Sequence, residues 1–257
     1  MITLKSPQQV DRMREAGKLL YEVETALREA IHPGITTNEL DRMAERMIRD
    51  AGAIPSFKGF EGFPATICAS PDDMVVHGFP DDKPIESGHI LSVDCGLVLH
   101  GWQADSAFTA PVGEIPKEIQ ELIRVTEECF WLGAAQAREG NRLGDIGYAV
   151  QEHAEKHGFG VVRDLTGHGI GTEMHEDPSV PNFGKAGRGL RLRAGMTIAI
   201  EPMIAKGDWK VYVKDDGWGV VTRDHSWCSH YEHTLAITGD KPEILTYHGP
   251  RVSEDVQ

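Results

Sequence analysis

The chain has 257 residues, 40% of them apolar and 26% charged, a globular composition and a length for one large domain or two small ones. Its 40 acidic residues outnumber 26 basic ones, for a formal net charge of −14, which argues against a nucleic-acid or membrane surface as the main partner. No run of ~18 apolar residues is present to span a bilayer, and residues 1–17 lack the apolar core of a signal peptide.

Apolar spacing predicts a first helix over 6–30, with Val10, Met13, Gly17, Leu20 and Leu27 along one side. Thr36-Thr37-Asn38-Glu39 has capping-box form and opens a second helix. Leu40, Met43, Ala44, Met47 and Ile48 give that helix one apolar face, and Gly52 stops it. Residues 89–113 read as a pair of β-rich runs around His100-Gly101. Pro116 opens a third helix carrying Ile119, Leu122, Ile123, Thr126, Cys129 and Phe130. A fourth carries Ile146, Ala149, Val150, His153 and Ala154 and ends at Gly158. Residues 180–195 read as a Gly- and Arg-rich loop, 196–204 and 230–238 as strands, and the tail beyond about Gly249 as frayed.

The second and fourth helices align at an offset of 106 residues, with Gly34 on Gly140, Leu40 on Ile146, Ala44 on Val150 and Gly52 on Gly158. Each half therefore reads as two helices with strands. No linker rich in Pro, Ser and Gly divides them, so residues 1–257 are expected to form a single domain with pseudo-symmetric halves of about 1–113 and 114–250. Four scattered cysteines, Cys68, Cys95, Cys129 and Cys228, form no C-x-x-C pair and read as reduced thiols in a cytoplasmic protein.

The chain has no G-x-S-x-G elbow, no phosphate-binding G-x-x-x-x-G-K-[ST] loop and no H-E-x-x-H helix. His153 and His157 have ligand spacing, but they continue an apolar stripe and no acid or Cys partner stands out, so they read as packing or surface histidines.

The chemistry is expected elsewhere. Asp94 lies between Val93 and Cys95, and Asp105 interrupts the following β-rich run. A hairpin with an even loop count places both on one face, where two uncompensated carboxylates would repel. Glu201 follows the apolar run 196–200 and precedes Pro202, and Glu232 stands between Tyr231 and His233. Burying such carboxylates is costly unless a cation compensates them. His168, among Gly167, Gly169 and Gly171, adds an imidazole where the backbone permits close approach.

The ordered blocks VVHGFP (75–80), SVDCG (92–96), ADSAFT (104–109), TGHGIG (166–171), MHEDP (174–178), AIEPM (199–203) and YEHT (231–234) resemble the type I methionine aminopeptidases over nearly the whole chain. The resemblance implies an α/β (α+β) pita-bread fold, with a curved antiparallel sheet inside and helices outside. It implies two divalent metal ions (Co, Mn, Fe or Zn). Asp94 would hold one, His168 and Glu201 the other, and Asp105 and Glu232 would bridge them. A water activated between the ions would attack the carbonyl after an N-terminal methionine, with Glu201 shuttling a proton, His175 stabilising the tetrahedral intermediate and His77 contacting the scissile amide. Phe63, Cys68 and Trp218, with Phe60, would line the methionine pocket, and only small second residues would be accepted. The implied partners are nascent polypeptide N-termini and the ribosome, without a membrane or a nucleic-acid site, and the implied state is a monomer.

Three positions depart from the family pattern. Met174 stands where many relatives carry Phe, and Phe60-Glu61 where they often carry Tyr-His. Glu61 at a substrate mouth is expected to attract a cationic N-terminus or to alter selectivity. The short interval from His175 to Glu201 leaves no room for the insertion of type II enzymes. The proline-directed branch of the fold usually carries an extra N-terminal domain that 257 residues do not accommodate, and metal-free binding relatives lose ligands that this chain keeps.

Overall fold

The first two helices begin where the sequence offers a side chain to their unpaired N–H groups. In the computed structural model, which describes residues 2–239 and 241–249, Ser6 and Gln9 form a capping box for α1 (Pro7–Ala30), and Thr36 and Glu39 form one for α2 (Thr37–Asp50). The helix α3 (Lys117–Gln136) starts one residue after Pro116, and α4 (Leu143–Lys156) starts where the Arg142 N–H donates to Asp145 at 2.7 Å. The repeat is visible in the backbone. Gly34 and Gly140 take φ of 95° and 94°, and the next-but-one residues Thr36 and Arg142 each make an isolated antiparallel bridge, to Pro84 and Arg191. The frayed tail expected past Gly249 lies on residues 250–257, outside the described ones.

The strands are β1 (Ile54–Pro55), β2 (Ile67–Pro71), β3 (Met74–Val76), β4 (His89–Leu99), β5 (Trp102–Val112), β6 (Gly160–Val161), β7 (Gly167–Gly169), β8 (Glu176–Val180), β9 (Thr197–Ile200), β10 (Met203–Ala205), β11 (Val211–Val213), β12 (Val220–Thr222), β13 (Cys228–His230), β14 (Glu232–Ile237) and β15 (Pro242–Ile244). A curved antiparallel sheet runs β1-β4-β5-β14-β9-β7-β8, with β2 also on β4 and β15 on β14. Two three-stranded sheets, β13-β10-β6 and β11-β12-β3, complete the structure. The hairpin β4–β5 closes through His100-Gly101 with positive φ at both, a two-residue turn that suits the twist of the strands.

Two expected strands each prove to be two. The run 196–204 divides at Glu201-Pro202 into β9 and β10, and 230–238 divides at Tyr231 into β13 and β14. Pro202 has no N–H to give a ladder. Both chains turn a corner there together: β9 and β14 pair in the large sheet, while β10 and β13 pair in a small one. The Tyr231 N–H donates to Pro202 O across the corner at 3.2 Å.

The large sheet has two unlike faces. Leu91, Val93, Cys95 and Leu97 of β4, Ala104, Phe108 and Ala110 of β5, Ile198 and Ile200, and Leu235 and Ile237 turn toward the helices. There they meet Leu20, Leu27, Leu40, Ile48, Phe130 and Ile146. Each fully buried Leu, Ile or Phe contributes roughly 1.5–3 kcal/mol, so this face anchors the sheet. The alternate residues point the other way.

Gly17 packs α1 against the segment after β15, where an added Cβ would lie 2.1 Å from the Leu245 carbonyl oxygen. Alanine would favour an isolated helix by about 1 kcal/mol. Gly17→Ala is nevertheless expected to lower stability by about 1–3 kcal/mol through overpacking. Thermal unfolding checks this; an unchanged or higher Tm would show that residues 245–246 move aside freely.

Candidate active site

Strand register assembles the site. Ala107 of β5 is paired with Asp94 of β4 on one side and with Glu232 of β14 on the other, so these three side chains stand in a row across three strands. Asp105, two residues before Ala107, shares their face and lies diagonal to Asp94. His233 pairs with Ile200, so Glu201 follows on the face of Glu232 at the point where the two sheets part. His168 alternates with Gly169, which pairs with Ile198, and so reaches the same face. All five expected donors are thus brought together.

Their separations are short. His168 Nε2 is 3.6 Å from Asp105 Oδ2 and 3.6 Å from Glu201 Oε1. Donor atoms of Asp105, His168 and Glu232 lie within 4.8 Å of one another. His168 Nδ1 is 2.9 Å from the Gly169 carbonyl, which can only accept, so Nδ1 carries a proton and Nε2 faces the carboxylates. Thr234 Oγ1 donates to Asp105 O and receives its N–H, and Asn182 holds the Glu201 carbonyl at 2.9 Å.

The electrostatics are strained. Asp105 and Glu232 are buried, and Asp94 Oδ1, Asp105 Oδ1 and Glu232 Oε1 have no hydrogen-bond partner and no contact with solvent. Burial, with Asp105 next, pushes Asp94 and Glu232 well above the ordinary carboxylate range. Burial pushes Glu201 up to about 8, against the opposing pull of His168. Burial also disfavours a charged His168, but Asp105 and Glu201 prevail and raise it to about 9. Orphaned carboxylate oxygens converging with an imidazole fit divalent cations, which would supply the missing positive charge.

A second layer lies behind the sheet. Ser106 Oγ is within 2.9 Å of Glu24 Oε2, Glu232 O and His233 Nδ1, and His233 Nε2 is 3.1 Å from Tyr231 OH. Burial holds Glu24 up at about 8 and His233 down at about 3.

The centre opens into a cavity of about 830 Å³. Cys68 of β2 is paired with Asp94, so the wall beyond the centre is one strand away. Phe63, Ala65 and Cys68 form an apolar cluster with Phe57 and Trp218. The rings of Phe63 and Trp218 meet edge-on with centroids 5.1 Å apart. Trp218 sits in a turn held by Asp216, whose Oδ1 accepts from the N–H groups of Trp218 and Gly219. His77 adopts a positive φ of 61°, a strained conformation for a non-glycine residue, and its ring meets Trp218 at 6.1 Å. His175 meets His168 at 4.5 Å and Phe60 at 5.5 Å. Burial lowers the pKa of both His77 and His175, which favours their neutral forms.

Glu61 lines the same cavity at positive φ and is exposed, while Met174 is buried with Ile170 and Trp102. Sequence reasoning missed His230, whose Nε2 is 3.6 Å from Glu232 Oε2. Strand alternation from Glu232 points to it, but the corner at Tyr231 hides that relation. The sequence reading also found no acid beside His153, yet Glu128 of α3 lies 2.8 Å from its Nε2 and pairs with Arg124 as well.

A curved antiparallel sheet that gathers four carboxylates and an imidazole beneath an apolar cleft is the construction of a pita-bread metallohydrolase. The sequence model of metallopeptidase family M24 matches residues 11–239, and the chain belongs to that family. It is 52% identical over 246 residues to a methionine aminopeptidase of Clostridium perfringens, covering 96% of this chain and 99% of the relative. It is 45% identical to methionine aminopeptidase 1 of Bacillus subtilis with the same coverage. The crystal structure of methionine aminopeptidase from Rickettsia prowazekii superposes with a TM-score of 0.95 at 41% identity, over 96% of this chain and all of that one.

The carboxyls generate a pH prediction for the metal-free protein. An acid whose pKa rises on folding binds more protons in the folded state, between its unfolded value of ~4.3 and its folded one. Its contribution to stability is therefore whole below that window and falls as pH rises through it. Glu24 and Glu201, raised to about 8, set the window, and His168, raised to about 9, acts in the same sense at higher pH. In chelator, Tm is expected to be at least about 4 °C higher at pH 5.5 than at pH 8, the shift for a loss of 1–2 kcal/mol in a chain of this size. Burial of neutral His77, His175 and His233 acts in the opposite sense, so calorimetry checks the balance; a Tm that rises with pH would show that these histidines outweigh the carboxyls.

Proposed function

We propose that this chain hydrolyses the first peptide bond of polypeptides that begin with methionine, acting in the cytoplasm on nascent chains with a small second residue. The observation that carries the reading is the pairing of Cys68 with Asp94, which sets an apolar, sulfur- and aromatic-lined pocket one strand from the carboxylate centre. Aromatic edges and a thiol suit a thioether side chain. Encounter at the ribosome and a monomeric state complete the proposal.

Asp94, Asp105, His168, Glu201 and Glu232 would hold two divalent cations. Oxygen-rich ligands with one imidazole suit Mn²⁺, Fe²⁺ or Co²⁺ and tolerate Zn²⁺. Such ions supply Lewis-acid polarisation of a carbonyl and lower the pKa of water.

The remaining work falls to side chains. The pocket of Phe63, Cys68 and Trp218 seats the methionine side chain and so orients the scissile carbonyl over the carboxylates. Glu201 takes a proton from the attacking water and returns one to the leaving nitrogen. A neutral His175 donates from its ring to the oxygen that gains charge, and its edge contact with Phe60 holds its orientation. His77 is fixed beside Trp218 and faces the scissile amide.

Release of methionine from Met-Gly-Met, compared with Leu-Gly-Met and X-Pro peptides and repeated after chelation, tests the reading. Activity is expected on the first peptide alone and is expected to vanish on chelation. Asp105→Ala is expected to lower kcat/KM by at least about 10³, and His175→Ala by about 10²–10³, the usual cost of one oxyanion donor. Full activity of Asp105→Ala, or preference for X-Pro peptides, would overturn the proposal.

Glu61→Gln is expected to raise KM up to about fivefold with kcat unchanged, because one exposed charge pair contributes about 1 kcal/mol or less. An unchanged KM at low ionic strength would show that Glu61 does not meet the substrate ammonium.

A further inference from the structure

His230 occupies the last position of β13, two residues before Glu232. The residue is 1% exposed, and its Nε2 has neither solvent nor a hydrogen-bond partner. Leaving a buried imidazole nitrogen unsatisfied costs about 1–3 kcal/mol. The neighbouring His233 shows what a structural histidine looks like here: its Nδ1 meets Ser106 and Thr246 hydroxyls and its Nε2 meets Tyr231 OH, all within 3.1 Å.

The orphaned nitrogen points into the centre. It is 3.6 Å from Glu232 Oε2 and 3.9 Å from Glu201 Oε2, too long for hydrogen bonds. Two donors that share one cation at about 2.1 Å each stand roughly 3.0–3.6 Å apart. His168 shows the same spacing to Asp105 and to the other oxygen of Glu201. Glu201 thus stands between two imidazoles, with Oε1 toward His168 and Oε2 toward His230. Donor atoms of Asp94, His230 and Glu232 also lie within 4.8 Å of one another, a second group of donors beside that of Asp105, His168 and Glu232. The backbone that carries the ring is held from behind, since Thr109 Oγ1 accepts from the His230 main-chain N–H and donates to its carbonyl, both at 2.9 Å.

We propose that His230 is a sixth metal ligand, completing with Asp94 and Glu232 the seat of one of the two cations. The inference rests on the dinuclear reading given above. An imidazole in place of an oxygen donor shifts that seat from Mn²⁺ and Mg²⁺ toward Fe²⁺, Co²⁺ and Zn²⁺.

The test uses Co²⁺ and the variants His230→Gln and His230→Asn, each checked for fold by circular dichroism. Calorimetric titration is expected to show two Co²⁺ sites in the unaltered protein. In both variants one of them should weaken at least about tenfold while the other is unchanged. X-ray absorption of the cobalt-loaded protein is expected to count two imidazoles per pair of ions, and one in His230→Gln. Unchanged affinities together with an unchanged imidazole count would overturn the proposal, and so would a single imidazole in the unaltered protein. If the unaltered protein binds no divalent ion, or if Asp94→Asn binds as it does, the dinuclear reading itself fails, and the two failures are told apart.

Discussion

The structure depends on a sheet whose two faces have opposite demands. One face is Leu, Ile, Val and Phe against four helices, and the other carries Asp94, Asp105 and Glu232 on adjacent strands, with Glu201 at the corner. An isolated buried carboxylate is prohibitively costly, so such a row is tolerable only where its charges have a common counter-charge. Antiparallel pairing suits that purpose because directly paired residues lie about 4.5–5.5 Å apart. Ala107 keeps the middle of the row clear: any larger side chain between Asp94 and Glu232 would fill the space into which their oxygens converge.

The same constraint decided what could be read from the sequence. The helices were legible because capping boxes and 3.6-residue spacing are local signals, and the 106-residue repeat survives as paired glycines and paired bridges. The long hairpin was legible from its length and its His-Gly turn. Strands of two to five residues such as β2, β7 and β8 carry too little pattern to stand out. The corners at Pro202 and Tyr231 were missed because apolar residues continue without a break while the backbone passes from one sheet to another. What looked like one strand each time was a strand in the large sheet joined to a strand in a small one.

The four carboxylates gathered at the centre were legible because each is a charged residue beside an apolar run, and His168 because glycines flank it. His230 gave no such signal, since histidine beside serine and tyrosine is unremarkable until the register of β13 against β10 turns it inward. The network of Glu24, Ser106 and His233 was invisible for a different reason. Its members lie 82 and 127 residues apart, and nothing local to any of them announces the others.

The apolar pocket and the carboxylate centre are mechanically one system. Cys68 and Asp94 are partners on neighbouring strands, and Gly96, two residues beyond Asp94, lies opposite Asp105. A Cβ on Gly96 would sit 2.9 Å from Phe57 Cε1 and 3.0 Å from Met174 Cε, so its missing side chain is part of the shape between the pocket and the centre. A substrate side chain seated against Phe63 and Trp218, as proposed, would leave its own carbonyl little freedom relative to the carboxylates. Backbone hydrogen bonds, and not flexible side chains, fix that distance. A residue that fills the pocket poorly would bind with its carbonyl displaced, and a displacement of about 1 Å is enough to cost two orders of magnitude in rate. On the proposed reading, discrimination against other N-terminal residues would follow from the rigidity of β2, β4 and β5 as much as from the chemistry of the pocket wall.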